Sequence, residues 1–189
     1  HLTDGDVVSP ILLRPIREQF EHNRVIRLLQ VRHRRRYLVG VNLGDDPEAT
    51  GVRSGTGLVY PDLVLTNITG ARRVHAIVEV ETAESVNHLE AMAEWVHFAK
   101  VRGAFYLYVP AGTPDVARRL CEDHHVAVTE IWSYHAVGDQ MRFTMTYRSR
   151  RAARSAKAAP QKSKAASKKV ERAAKTAKRT AKTAKRTAK

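Results

Sequence analysis

Residues 73–82 read RVHAIVEVET, an apolar run of strand length carrying glutamates at positions 79 and 81. Glutamate is poor strand material, and two of them in such a run must be solvated, paired or put to use. Side chains alternate along a strand, so His75, Ile77, Glu79 and Glu81 are expected on one face and Val74, Ala76, Val78 and Val80 on the other. The wholly apolar face should pack on helices. The two glutamates then project from the opposite face, about 7 Å apart along the strand.

Upstream, VYPDLVLTN at 59–67 and a turn at ITGAR complete a β-hairpin with this strand. With the turn centred near Thr69 and Gly70, paired residue numbers sum to about 140, which sets Asp62 opposite the stretch from Ile77 to Glu79 at about 5 Å. Three carboxylates then gather on one patch. They repel one another, so the patch is stable only when exposed, protonated or holding a cation. Oxygen-only ligands suit Mg²⁺ or Mn²⁺, hard ions that can activate water and neutralise charge on a phosphodiester.

The flanking sequence supplies the rest of the layout. Ser9-Pro10 is a helix-start signal, and an early helix follows with Pro15 as a kink point. The stretch 24–36, RVIRLLQVRHRRR, fits either a second helix or an amphipathic strand and carries six arginines. Residues 36–42 read as a strand and 44–57 as loop. A helix is expected from Ser85 to Gly103, with Val86, Leu89, Ala93 and Val96 on its apolar stripe. The apolar run 104–110 reads as a buried strand, residues 113–121 as a further helix, and two strands follow. Trp95, Phe98, Tyr106 and Tyr108 fall on packed elements and are expected in or near the core. Cys121, His124 and His125 lie close together, but no second ligand pair completes a zinc site, so they read as helix-end residues.

Pro61-Asp62, the hairpin and Glu79-Val80-Glu81 on the next strand, set in an αβββαβ order, resemble the PD-(D/E)XK superfamily of restriction-endonuclease-like nucleases. The resemblance spans roughly residues 9–135 and implies an α/β fold with a restriction-endonuclease-like αβββαβ core, plus an added helix and strands. It implies metal-binding roles for Asp62 and Glu79. Glu81 stands at the position usually held by lysine, where an acid would serve as a further ligand or as the base. The catalytic and metal set is therefore Asp62, Glu79 and Glu81, with Mg²⁺ or Mn²⁺ as cofactor. The family sometimes adds an acid from its first helix, here Glu18 or Glu21, and a polar pair on the helix after the acidic strand, where this chain has Glu94 and Phe98. Residues 1–147 contain one lysine, Lys100, on the predicted apolar stripe and about 22 Å along the helix axis from Ser85, too far to replace the missing one.

Charge divides the chain in two. Of its 33 Lys and Arg residues, 17 fall in residues 148–189 beside a single acid, Glu171, which leaves residues 1–147 with 16 basic and 18 acidic groups. We therefore expect a nuclease-like domain at 1–147 and a basic tail at 148–189. The tail ends in a seven-residue repeat, AKTAKRT, and resembles the Lys/Ala-rich tails of linker histones. It is expected to be disordered when free, conditionally helical on a polyanion, and to bind nucleic acid without sequence preference through Lys175, Lys178, Arg179, Lys182, Lys185, Arg186 and Lys189. DNA is the expected partner, with RNA open to the same charges, and a homodimer would be in keeping with cleavage of both strands. One cysteine allows no intrachain disulfide, and no apolar run reaches the length of a membrane span, so a cytoplasmic, nucleoid-associated location is expected. Two functions fit: a metal-dependent nuclease hydrolysing DNA phosphodiester bonds, or a non-catalytic nucleoid-associated protein built on an inactive nuclease-like domain.

Overall fold

The computed structural model describes residues 15–55 and 57–158, so the Ser9-Pro10 signal and the repeat tail lie outside the described residues. Two compact units divide the chain, His1–Ser149 and Arg150–Lys189. In the first, helix α1 (Ile16–His33) begins immediately after Pro15. Proline costs nothing at a helix start, so Pro15 opens the helix instead of kinking it, and the ambiguous arginine-rich segment is helical as far as His33.

Strands β1 (Tyr37–Val41), β4 (Leu63–Asn67) and β5 (Val74–Val80) form an antiparallel meander. Within the stretch expected to be loop, β2 (Val52–Ser54) pairs with β3 (Gly57–Val59) as a separate two-stranded sheet. A helical run then crosses over the sheet in three abutting segments: α2 (His88–Glu90), a π-helical turn (Ala91–Trp95) and α3 (Val96–Phe98). It leads to β6 (Ala104–Pro110), parallel to β5. Helix α4 (Pro114–Asp123) leads in turn to β7 (Glu130–Val137), parallel to β6, and β8 (Gln140–Arg148) closes the edge antiparallel. The protein is thus mixed α/β, with a mixed six-stranded sheet in the order β1-β4-β5-β6-β7-β8. In the second unit, α5 (Arg150–Ala158) is the described element. Among the described residues no helix is long and apolar enough to cross a membrane.

Parallel neighbours require crossovers, and both crossover helices lie on one face of the sheet. There Trp95, Phe98, Ala117 and Leu120 pack on Ile77, Phe105, Leu107 and Ile131. On the other face, Val25, Ile26 and Leu29 of α1 pack on Leu63, Leu65, Ala76, Val78 and Val80. Helices therefore cover both faces of β5, and the glutamate-bearing face is not the open surface that alternation alone suggests.

Two departures from the expected periodicity have local causes. The β4–β5 register slips between Leu65 and Thr66, so Ala76 faces Leu65 while Val74 faces Thr66. This bulge at His75 moves Val74 to the crossover-helix face and leaves His75 stacked on Tyr37, 4.6 Å between ring centroids, away from Ile77 and Glu79. The crossover helix is also shorter than the predicted 85–103. Its π turn, closed by the Val96 N–H on the Ala91 carbonyl, rotates the buried stripe onto Ala91, Trp95 and Phe98. Leu89 is consequently 67 % exposed, and Ala93 and Lys100 also face solvent.

Replacing Leu29, fully buried between α1 and the sheet, by alanine should cost about 2–5 kcal/mol in urea denaturation. Leu89→Ala should stay within about 0.5 kcal/mol of the parent, despite its place in the helical sequence pattern.

Candidate metal centre

The acids gather where the β4–β5 ladder runs out. Leu63 pairs with Val78, so one further step sets Asp62 opposite Glu79. Side chains take over the ladder there. The Asp62 backbone N–H donates to Glu79 Oε2 at 3.1 Å, and the Val80 N–H donates to Asp62 Oδ2 at 2.8 Å. His22, on the buried stripe of α1 with Val25, Ile26 and Leu29, places Nε2 3.1 Å from the same Oδ2. These contacts all fall on Oδ2, which leaves Asp62 Oδ1 without a hydrogen-bond partner among the described residues.

Glu81 follows β5 and has no exposed surface. Its backbone N–H donates to the Tyr108 carbonyl, and its own carbonyl accepts from the Tyr134 hydroxyl at 2.6 Å. The carboxylate Oε1 accepts from Trp95 Nε1 at 2.8 Å. Both Trp95 and its neighbour Glu94 belong to the π turn, and both reach this end of β5. Glu79, Glu81 and Glu94 each offer a carboxylate oxygen, and these oxygens lie within 4.8 Å of one another.

Such a group is electrostatically costly. Glu79 is 5 % exposed, and its carboxyl is held well above the usual carboxylate range. Burial is the largest cause; the negative charges of Asp62, Glu94 and Glu81 add to it, and the Asp62 N–H opposes it. Among the described residues no Lys or Arg forms an ion pair with Glu79. At the rim, Glu18 accepts from the Thr82 hydroxyl at 3.0 Å, and its charge raises the pKa of exposed Glu84. A divalent cation fits this donor set, which is all oxygen and is buried at Glu79 and Glu81.

The structure brings Glu79 and Glu81 together as expected, with Asp62 beside them. The third oxygen within reach belongs to Glu94, not to Asp62. Glu94 had been set aside as the wrong residue for a polar pair, and His22 was not singled out. The 22/25/26/29 spacing marks His22 as inward-facing once the segment is taken as helix. Of the first-helix acids, Glu18 lies at the rim and Glu21 is exposed. Cys121 is buried, which raises its thiol pKa to about 12, while His124 contacts His88 at 2.8 Å. The tail residues Lys175, Lys178, Arg179, Lys182, Lys185, Arg186 and Lys189 lie outside the described residues.

No protein-family model, curated protein or solved structure matches this chain.

The raised pKa of Glu79 sets the sign of a pH effect. Below about pH 4.5 the carboxyl is protonated in both folded and unfolded chains. Between that value and the raised one, the folded chain keeps a proton that the unfolded chain has released, so this group's contribution to stability falls as pH rises. His33, pushed down to about 4 by burial and by Arg32, Arg36 and His75, contributes the opposite slope between about 4 and 6.5. Comparison with Glu79→Gln isolates the carboxyl. In EDTA, the variant should gain stability over the parent as pH rises above 4.5, measured by urea denaturation at stepped pH, and Mn²⁺ should raise the melting temperature of the parent but not of the variant.

Proposed function

We propose that this protein is a divalent-metal-dependent nuclease of the PD-(D/E)XK kind, hydrolysing DNA phosphodiester bonds and tethered to DNA by its basic tail. The observation that carries this reading is the trio Glu79, Glu81 and Glu94, whose carboxylate oxygens lie within 4.8 Å of one another, beside Asp62. The helix, three-strand meander, crossover helix and parallel strand that frame them follow the αβββαβ order of that superfamily.

The ligand set in this reading is Glu79, Glu81 and Glu94, with Asp62 Oδ1 beside them. Mg²⁺ or Mn²⁺ held there would polarise a phosphodiester and lower the pKa of a bound water. Glu79 gives up its proton on becoming a ligand, so metal affinity rises with pH. Glu81, fixed by the Trp95 N–H, takes the position of the usual lysine and is the nearest carboxylate to act as proton acceptor. His22 Nε2, 3.1 Å from Asp62 Oδ2, holds that carboxylate in place.

One observation favours a second reading, a non-catalytic DNA-binding protein. Glu81 is wholly buried and bonded through its carboxylate, N–H and carbonyl, as a structural residue would be.

Plasmid nicking distinguishes the two. The parent should nick with Mg²⁺ or Mn²⁺ and not in EDTA, and Glu79→Ala and Asp62→Ala should abolish the activity. Equal nicking by parent and variants would refute the nuclease reading, and DNA binding without nicking by the parent would support the second. Deleting residues 150–189 should flatten the salt dependence of duplex binding; eight lost phosphate contacts correspond to a change of about 7 in the slope of log K against log salt.

A further inference from the structure

The sheet has a second distinctive end. Residues 34–36 precede β1, residues 72–73 precede β5 and residue 102 precedes β6, and the strand register sets all these starts at one end, with the last residue of β8. Arg34, Arg35, Arg36, Arg72, Arg73 and Arg102 are all exposed there. Glu130, the acid among them, is neutralised by Arg148 at 3.0 Å. Six residue steps along the chain separate His75, in β5 at this end, from Glu81, about 20 Å.

On the α1 face, this end also carries aromatic rings. Helix α1 packs on β1, β4 and β5, and among the described residues of the first unit no other helix covers β6 to β8 on that side. Tyr106, Trp132 and Phe143 stand half-buried on the same face as the stacked pair Tyr37 and His75; the register sets Tyr106 level with Val78, Trp132 with Val80 and Phe143 one step beyond Val109, so the rings run from this end across the sheet toward the other. Trp132 lies parallel to Tyr108, with ring planes 8° apart, and the Arg32 guanidinium sits 5.4 Å from its centroid. His33 Nε2, beside Tyr37, is buried without a hydrogen-bond partner among the described residues.

We propose that this aromatic face, running across β6 to β8 from the arginine-lined end of the sheet, binds single-stranded DNA. Arginines track a phosphate backbone, and aromatic faces stack unpaired bases with little regard to sequence. Bases also stack on guanidinium planes, so the Arg32–Trp132 pile extends the platform. A duplex keeps its bases stacked on one another and would use the arginines alone. The low pKa of His33, due in part to Arg32 and Arg36, reflects the positive potential a polyanion would meet. None of the metal-site carboxylates takes part, so this binding stands apart from the nuclease reading.

The chain's two tryptophans make the proposal measurable, since Trp95 is buried against Glu81 and Trp132 is in the platform. Titrating the full chain in EDTA with oligo-dT of about 16 nucleotides should quench Trp132 emission. The quench should persist in Trp95→Phe and Glu79→Ala and vanish in Trp132→Phe. Tyr106→Ala should weaken binding roughly 5- to 150-fold. The surface pair Arg36→Glu with Arg73→Glu, which no packing depends on, should weaken it further and flatten the salt slope by about 1.4 or more. Undiminished quenching in Trp132→Phe, equal quenching by a duplex of the same length, or affinity unchanged in the arginine pair would overturn the proposal. Loss of nicking in Glu79→Ala with the quench intact would leave it standing.

Discussion

At the end of the β4–β5 ladder, two carboxylates do the work that carbonyls do elsewhere. Glu79 Oε2 accepts the Asp62 N–H, and Asp62 Oδ2 accepts the Val80 N–H, so the pairing continues one step past the last strand residue. Backbone N–H groups in a buried setting need acceptors, and charged acceptors make the stronger bonds. The same link fixes both acids inside the protein. Much of the surrounding architecture can be understood as support for this cross-strand exchange.

That support comes from both faces. From α1, His22 reaches Asp62; from the crossover helix, Trp95 reaches Glu81 and Glu94 joins the glutamates. A π turn is a poorer helix than an α turn, and such turns are common where a side chain must be re-aimed at a site. Here it sends Glu94 and Trp95 to the same end of β5. The energetic consequence falls on Glu79: buried beside the charges of Asp62, Glu94 and Glu81, its carboxyl is relieved by a proton or by a cation.

Part of this was legible in the sequence because it rests on local rules. Hairpin arithmetic set Asp62 within a step of Glu79, since an antiparallel register follows from the turn. The apolar runs of β5 and β6 marked buried strands, and Trp95, Phe98 and Tyr108 are in the core as expected. In two places where the expected periodicity failed, one extra residue was responsible. The bulge at His75 reversed alternation at the start of β5, and the π turn rotated the helix stripe from Leu89 to Ala91 and Trp95. Neither insertion leaves a mark in hydrophobic periodicity, because both are selected by the partners they pack against.

The sequence by itself determined the strands of the six-stranded sheet, the hairpin that joins Asp62 to the two glutamates, the mixed α/β class and the separation of a nearly neutral domain from a basic tail. These follow from side-chain period, turn chemistry and charge, which act over a few residues. Tertiary structure decided that Asp62, Glu79 and Glu81 are buried and not solvated, that Glu94 and His22 join them, and that a face of aromatic rings runs from the arginine-lined end of the sheet across β6 to β8. Those facts depend on which distant elements cover which face, and no spacing along the chain encodes that distance.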